Sequence, residues 1–170
     1  MLLEVSKFIA ANKDRPFYLN VWLHESHLPH VPTKASLEKW AHLDEQKRVY
    51  AAVITDGDNA VGRVLDALRD AGVAQNTLVI FSSDNGGLPP GRNVPFRAYK
   101  SSLYEGGIRA CACVNWPGRI PAGKTIDEPL HAVDWYPTLA NLAVHAGEIR
   151  GFNTGGGDRK STRLNSSHAN

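Results

Sequence analysis

The sequence predicts an α/β fold in which helices cover a mostly parallel sheet. Two apolar segments, residues 17–23 and 77–82, have the β-branched and aromatic composition of strands. Between them, from about Asp44 to Ala71, apolar residues recur at three- and four-residue steps, as in an amphipathic helix. A strand, a helix and a second strand in this order form a βαβ unit, and its two strands run parallel in one sheet.

The composition is typical of a single globular domain. The chain has 170 residues, of which 42% are hydrophobic and 21% charged, and its formal net charge is +2. These values exclude a disordered acidic chain, a collagen and a coiled coil. No basic block predicts a nucleic-acid partner, and no apolar run approaches the roughly 18 residues of a membrane span. Glu4 and Lys7 interrupt the start where a signal peptide needs an apolar core, so the chain as given is expected to be neither exported nor membrane-anchored.

The first elements can be assigned in chain order. Residues 2–11 are predicted as a short helix, which the Asn-Lys-Asp-Arg-Pro stretch ends. Residues 17–23 follow as a strand, apolar enough to be buried on both faces. Two prolines make residues 24–33 a loop. Gly72 lies just past the last apolar turn of the long helix and is expected to end it.

A third strand and a last helix complete the predicted elements. Residues 110–114 are the strand, and Asp134 is expected to cap the helix, with Pro137 in its first turn. Cys111 and Cys113 lie two residues apart on the same face of the strand, which is poor geometry for a mutual disulfide. Further ligands at zinc-finger spacing are absent from the sequence, so both cysteines are interpreted as small core residues.

Two loops that follow strands carry residues that could do chemistry, because open α/β sheets bind ligands at the carboxyl ends of their strands. His24, His27 and His30 lie close together in the first loop and could bind a metal, although ordinary loop histidines are the alternative. In the second loop, Asp84 and Asn85 offer a carboxylate and an amide oxygen, which suit Ca²⁺ or Mg²⁺. The same Asp-Asn-Gly-Gly sequence is equally typical of a plain turn.

Basic residues gather further along the chain, where Arg97, Lys100 and Arg109 lie near a second Gly-Gly pair. A lysine here could hold an oxyanion as a point charge, and a solvated loop lysine is the alternative. Periodicity and spacing therefore predict an α/β protein with a cation and an anion site. They do not specify a reaction.

Taken together and in order, six segments make the chain resemble the sulfatase family of the alkaline-phosphatase-like superfamily. The resemblance covers about residues 16–143 and rests on PFYLNVWLHESHLPH, AVGRVLDAL, TLVIFSSDNGG, YKSSLYEGGIR, NWPGRIPAG and VDWYPTLANLA. Each segment is a weak signal alone, but their order and spacing are specific. The resemblance implies part of an alkaline-phosphatase-like α/β/α sandwich with a mostly parallel central sheet.

The resemblance also implies a mechanism. A sulfatase uses a formylglycine, which a formylglycine-generating or sulfatase-maturating enzyme makes from a Cys or Ser in a C/S-x-P-x-R motif. The hydrated formylglycine attacks a sulfate ester of a sugar or an aryl alcohol. A divalent cation, usually Ca²⁺ with Mg²⁺ as the alternative, offsets the negative charge.

Four residues match sulfatase site positions. Asp84 and Asn85 match two metal ligands, and Lys100 matches the lysine that contacts the transferred sulfate and the leaving oxygen. His27 matches the sulfate-binding histidine, which could donate a hydrogen bond or carry a proton to the leaving group. Glu105 and Arg109 are expected to have a structural role, ordering the Gly-Gly turn. His24 lies in the same loop as His27 and has no assigned role. The other histidines are expected to have no function in the site: His30, His42, His131 and His145.

The chain also departs from the family pattern. Neither cysteine lies in a C-x-P-x-R motif, and the paired aspartates that complete the metal site are missing. We therefore expect a fragment, in which residues 1–150 form the C-terminal part of a sulfatase catalytic domain without the N-terminal nucleophile region. Such a fragment is expected to be inactive alone. Because most sulfatases are exported, the parent protein is expected to reach the periplasm, the lysosome or the outside.

The C-terminal end is expected to be non-native. Residues 151–157 are a glycine-rich end, and residues 158–168 match the in-frame translation of a common sequencing-library adapter, so residues 158–170 are interpreted as read-through. Two alternatives to a sulfatase fragment stay open: a phosphonate or phosphate-ester hydrolase of the same superfamily, and a non-functional gene remnant or assembly artefact. A Rossmann-type binding module is disfavoured, since His, Glu and Pro rather than a glycine-rich turn follow the first strand.

Overall fold

The computed structural model describes residues 2–145, so the predictions made for residues 151–157 and 158–170 lie outside the described part. The chain divides into two units, Met1–Ile120 and Pro121–Asn170. The first unit holds four helices, α1 (Leu2–Asn12), α2 (Lys34–Lys39), α3 (Glu45–Asp70) and α4 (Glu105–Ile108), and two strands, β1 (Val79–Ser82) and β2 (Ala112–Asn115). The second holds α5 (Trp135–His145).

The long helix α3 has the ends that the sequence predicts. The Asp44 side chain caps its first turn by accepting a hydrogen bond from the Lys47 amide at 3.1 Å. Gly72 follows its last turn with φ +74°, a conformation that a residue with a Cβ adopts only at a cost. α2 was not predicted. It begins after Thr33, whose hydroxyl oxygen accepts a hydrogen bond from the Ser36 amide at 3.3 Å.

The core of the first unit lies between α1 and α3. Val5 and Ile9 of α1 and Leu68 of α3 are buried and form one cluster. The 3.6-residue period of each helix aligns these side chains on one face, so burying that face removes them from water together. Partly buried apolar residues surround the cluster: Phe17, Leu19, Val21, Val64, Ala67, Ala71, Val73, Ala74 and Val79.

The described sheet differs from the predicted one. β1 and β2 pair antiparallel, with Val79 opposite Asn115 and Ser82 opposite Ala112. They form a two-stranded sheet, so the prediction of a mostly parallel sheet is wrong for the residues that the structure describes. The predicted parallel neighbour of β1 was residues 17–23, and these do not pair with it. Between β1 and β2 the chain forms only the short helix α4 and loops, without the long crossover helix that usually joins parallel strands.

Residues 17–23, predicted as a buried strand, are unpaired. Their burial alternates as in a strand, because Leu19 and Val21 face the core while Tyr18 and Trp22 are 70% and 78% exposed. The prediction that both faces are buried is therefore wrong here. A strand also needs a neighbouring backbone that exchanges hydrogen bonds with it, and within residues 2–145 none pairs with this segment.

The two cysteines are a further correction. Cys111 and Cys113 are free and exposed, not core residues. Cys113 lies in β2, which is exposed along all of its residues, and Cys111 lies just before β2 and is exposed as well. Composition alone indicated burial, since Cys is among the most buried residue types, but a strand that is uncovered on both faces exposes every residue that it carries.

The second unit begins its helical part with a short turn. Residues Ala132–Asp134 form a 3₁₀ turn that leads directly into α5. The Asp134 carboxylate accepts a hydrogen bond from the His131 amide at 2.9 Å, and the His131 ring accepts one from the Val133 amide at 3.2 Å. Asp134 therefore acts one turn earlier than predicted. Pro137 lies in the first turn of α5, where its missing N–H leaves no helical bond unmade.

Candidate functional site

The candidate metal ligands lie in the loop that leaves β1. Asp84 is exposed and Asn85 is partly buried. The Ser83 amide extends the strand pairing by donating to the Cys111 carbonyl at 3.1 Å, and the Ser83 hydroxyl donates to the Asn85 carbonyl at 3.0 Å. The sheet thus fixes the start of the loop, and the serine holds its turn.

A second loop packs against this one backbone to backbone. The Gly86 amide donates to the Gly107 carbonyl at 2.9 Å, and Gly106 and Gly107 are buried in α4. A Cβ on Gly86 would overlap the carbonyl oxygen of Gly106, and a Cβ on Gly106 would overlap that of Ala98. The absence of a Cβ at Gly86 and at Gly106 is therefore a condition for this close packing.

Lys100 belongs to the same contact. Its amide donates to the Gly87 carbonyl at 3.3 Å, which ties the lysine segment to the loop of Asp84 and Asn85. Within residues 2–145 the Lys100 ammonium makes no ion pair. It is therefore available to an anion as a compact point charge.

The neighbouring arginines are engaged in contacts of their own. The Arg97 guanidinium lies 4.0 Å from the centre of the Tyr104 ring, and that of Arg109 lies 4.5 Å from the centre of the Phe96 ring. Arg109 also pairs with Glu105 at 3.4 Å across one turn of α4. These contacts brace the second glycine loop.

Asn93 connects the parts of this contact and was not singled out from the sequence. Its Oδ1 accepts a hydrogen bond from the Gly87 amide at 3.1 Å. Its Nδ2 donates to the Gly87 carbonyl at 3.0 Å and to the Ala98 carbonyl at 3.1 Å. The signal that could have found it is weak, since Asn is frequent in turns and loops of every kind.

His27 lies in a different place. With His24 it lines a cavity of about 220 Å³, whose other lining residues include Val53 and Asp56 of α3. Asp84, Asn85 and Lys100 are not part of that lining. The described contacts therefore bring the loop of Asp84 and Asn85 to the segment of Lys100, while His27 belongs to the cavity beside α3.

The orientation of His27 has a chemical consequence. Its Nδ1 lies 2.8 Å from the Leu28 carbonyl oxygen, which can only accept a hydrogen bond. Nδ1 is therefore the protonated nitrogen, and Nε2 of the neutral ring is left as the proton acceptor. The His27 ring centre is 5.7 Å from that of His24.

Asp56 holds the end of the histidine loop. Its carboxylate accepts hydrogen bonds from the Thr33 amide at 2.7 Å, the Thr33 hydroxyl at 2.8 Å and the Ser36 hydroxyl at 2.5 Å. Partial burial raises the pKa of this carboxyl, but the hydrogen bonds from Ser36 and Thr33 together outweigh it, so its pKa is lower than usual. In the same cavity wall, Oε2 of Glu25 is buried without a hydrogen-bond partner among the described residues.

Asp84 and Asn85 are the right type of ligand for a hard divalent cation, but two ligands are too few to complete its coordination. Asp84 and Asn85 supply oxygen ligands, which Ca²⁺ and Mg²⁺ prefer, whereas Ca²⁺ takes about six to eight of them. In the described part of the chain no group of three or more His, Cys, Asp or Glu side chains is arranged to hold a metal ion.

The described helices also include none that is long and apolar enough to cross a bilayer.

Comparison with known proteins decides the family. The family model described as Sulfatase matches residues 1–146. The chain belongs to the sulfatase family. The resemblance found in the sequence is thereby confirmed, and the family is one of sulfuric ester hydrolases.

Individual sulfatases show the extent of the similarity. The chain is 39% identical over 145 residues to a sulfatase of Formosa agariphila and 34% identical over 159 residues to arylsulfatase D of Homo sapiens. These alignments cover 76% and 88% of this chain and 26% of each relative. The chain thus spans about a quarter of their length.

A solved structure gives the same picture in three dimensions. The crystal structure of Ps i-CgsB in complex with k-i-k-neocarrahexaose superposes with a TM-score of 0.79 at 34% identity. The match covers 84% of this chain and 33% of that one. The crystal structure of PsFucS1 sulfatase from Pseudoalteromonas sp. superposes with a TM-score of 0.76 at 27% identity, and that match covers 99% of this chain and 34% of the other. The described fold is therefore part of a sulfatase fold, of the alkaline-phosphatase-like class, and the sheet that the structure describes is antiparallel.

Proposed function

We propose that this chain supplies part of the catalytic centre of a sulfuric ester hydrolase. The observation that carries the proposal is the backbone contact between the two glycine loops, which ties the segment of Lys100 to the loop of Asp84 and Asn85 in a chain of the sulfatase family. Two segments that are tied backbone to backbone, one carrying a cationic side chain and the other two oxygen ligands, suit a sulfate group shared between a metal ion and a lysine.

Asp84 and Asn85 are the residues that would hold the cation, Ca²⁺ or Mg²⁺. When bound, such a cation polarises sulfate oxygens and offsets the charge that develops as the S–O bond breaks. The carboxylate contributes charge and the amide oxygen contributes a neutral ligand. Other groups must complete the coordination, since two ligands leave most positions of either cation open.

Lys100 and His27 would act on the substrate, the first through its contact with the loop of Asp84 and Asn85, the second on the strength of its family position alone, since His27 lines the cavity beside α3. The Lys100 ammonium would hold a sulfate oxygen and the leaving oxygen as a point charge. His27 has its Nδ1 proton committed to the Leu28 carbonyl, so its exchangeable proton sits on Nε2. A protonated Nε2 would give its proton to the leaving alkoxide oxygen, which departs as the alcohol, and the neutral ring would then gain a new proton from the solvent.

The substrate class is a sulfate ester of a sugar or an aryl alcohol. The solved structure most relevant to this choice holds a neocarrahexaose, which supports a sugar, and a relative is called an arylsulfatase, which supports an aryl ester. The longer protein to which such a centre belongs is proposed to be exported and to depend on a formylglycine-generating or sulfatase-maturating enzyme.

The chain alone is proposed to be inactive. Neither Cys111 nor Cys113 lies in the motif from which formylglycine is made, and the oxygen ligands counted above are too few for a tight cation site. An aryl sulfate assay in the presence of Ca²⁺ should therefore give no turnover above that of a Lys100→Ala variant. Turnover above this control would overturn the inactivity.

The cation site has its own test, a Ca²⁺ titration of the ¹⁵N-labelled chain followed by NMR. Shifts should concentrate at the amides of Asp84 and Asn85 and saturate only at millimolar Ca²⁺. They should vanish in Asp84→Ala and persist in Asp58→Ala, which removes an exposed carboxylate from α3. Equal shifts in both variants would show that Ca²⁺ binds elsewhere, and the proposed role of Asp84 would be wrong.

A further inference from the structure

Two polypeptide segments that carry the proposed site meet at Gly87. Its carbonyl oxygen accepts one hydrogen bond from the Lys100 amide at 3.3 Å and a second from Nδ2 of Asn93 at 3.0 Å. Its amide donates to Oδ1 of the same asparagine at 3.1 Å. Asn93 therefore pairs with both backbone groups of Gly87, as a neighbouring strand would.

The second proton of the Asn93 amide reaches the other segment. Nδ2 also donates to the Ala98 carbonyl at 3.1 Å, two residues before Lys100. Ala98 has φ +69°, which is a costly conformation for a residue with a Cβ, so the surrounding contacts must hold it there. Asn93 supplies one of those contacts, and the close approach of Gly106 to the Ala98 carbonyl supplies another.

We propose that Asn93 is a positioning residue, whose side-chain amide sets the distance between the loop of Asp84 and Asn85 and the segment of Lys100. Its consequence for the reaction rests on the proposed function, because the separation matters to catalysis only if a cation and a sulfate occupy the two sides. The separation itself is a property of the metal-free chain.

Only a carboxamide can make this set of contacts. It offers one acceptor and two donors on a rigid planar group, and all three meet backbone partners here. An aspartate keeps the acceptor for the Gly87 amide but turns its other oxygen against two carbonyl oxygens. An alanine loses all three contacts. The aspartate therefore keeps one of the three contacts and the alanine keeps none.

Amide hydrogen exchange in the metal-free 170-residue chain tests the proposal. In Asn93→Ala, exchange at both Gly87 and Lys100 should accelerate by about tenfold, the effect of losing one net hydrogen bond. In Asn93→Asp, exchange of the Lys100 amide should accelerate by a similar factor, while the Gly87 amide should stay protected because the aspartate still accepts its hydrogen bond. Asn59→Asp and Asn59→Ala, on an exposed position of α3, are the matched controls and should change neither amide.

Two results would overturn the proposal. Unchanged exchange at Lys100 in both Asn93 variants would mean that other contacts set the separation. Acceleration that extends equally to the amides of β1 and β2 would mean that Asn93 supports the fold in general. A failed Ca²⁺ titration would contradict the proposed function alone, since this exchange measurement contains no metal.

A second readout links the separation to the site. If Asn93 holds the two sides together, Ca²⁺ should tighten sulfate binding at Lys100. Asn93→Ala should reduce that tightening at least about twofold, and the unfolding temperature of this variant should stay well above the assay temperature. Full coupling in Asn93→Ala would show that the amide does not position the site.

Discussion

The absence of a side chain at Gly86 is what allows the two glycine loops to touch. Its amide bonds to Gly107, and the place where a Cβ would stand is already taken by the Gly106 carbonyl oxygen. The obstacle is backbone, which cannot turn aside as a flexible side chain can. A glycine here is therefore a packing requirement and not only a turn signal.

Gly86→Ala should consequently destabilise the chain by roughly 3 kcal/mol, because the loops must separate to make room for the methyl group. The matched control is Gly62→Ala in the middle of α3, where a Cβ would have nothing within 4 Å. That change should stabilise the chain by up to about 1 kcal/mol, since alanine favours helix. Urea unfolding of both variants measures the difference, and equal effects would contradict the close packing.

The contribution of Asp56 to the stability of the folded chain depends on pH. Its pKa in the folded chain lies below the ordinary value of 3.8, so the folded state favours the charged form. The stabilisation is therefore fully present above that ordinary value and is lost as the pH falls through the lower pKa of the folded state.

Asp56→Asn should accordingly be about 1 kcal/mol less stable than the parent at neutral pH, and the gap should close in acid below the folded-state pKa. Asp58→Asn makes the same charge change at an exposed position next to Gly57 and controls for net charge. The measurement is thermal unfolding at a series of pH values. A gap that is constant from neutral pH to acid would show that the hydrogen bonds to Thr33 and Ser36 do not depend on the charge.

At the scale of the elements, α1 stays in place because one of its faces is buried against α3. Ile9 is 1% exposed and is the largest fully buried side chain among the described residues. Leu3, six residues earlier on the same helix, is 66% exposed. The two positions have similar apolar side chains in opposite environments.

Ile9→Ala should cost about 2–4 kcal/mol of unfolding free energy, from lost burial and from the cavity that remains. Leu3→Ala should stay within about 0.5 kcal/mol, because its side chain is already in water. Chemical denaturation monitored by circular dichroism distinguishes them. Similar losses in both variants would mean that α1 does not pack on α3 through the face of Ile9.

At the scale of the whole molecule, the two units are joined by a long exposed stretch. Residues 118–133 are all exposed, and the boundary between Ile120 and Pro121 lies within them. Proteases cut first in exposed segments without regular structure, because the residues around the cleaved bond must be locally unfolded to enter the active site.

Limited trypsin digestion should therefore cleave the described part first after Arg119 or Lys124. The bond after Arg63, in the middle of α3, should survive until the unit unfolds. Mass spectrometry of early fragments gives the order, and Lys124→Gln should remove one of the early cuts. An early cut after Arg63 would contradict the stability of α3 in this chain.

The sequence by itself determined the features that depend on near neighbours along the chain. The apolar period predicted α1, α3 and α5 and nearly all of their ends, because a helix makes its hydrogen bonds within itself. The order of short motifs predicted the sulfatase family, which the family comparison confirms. The roles of Asp84, Asn85, Lys100 and His27 stay predictions.

Only the tertiary structure decided what depends on distant segments. Strand pairing needs a partner from elsewhere in the chain, so β1 and β2 proved antiparallel and residues 17–23 unpaired within the described part. Burial also depends on what covers a strand, which is why Cys111 and Cys113 are exposed. The role of Asn93 follows from two backbone segments meeting around its amide, and no local pattern of residues encodes such a meeting.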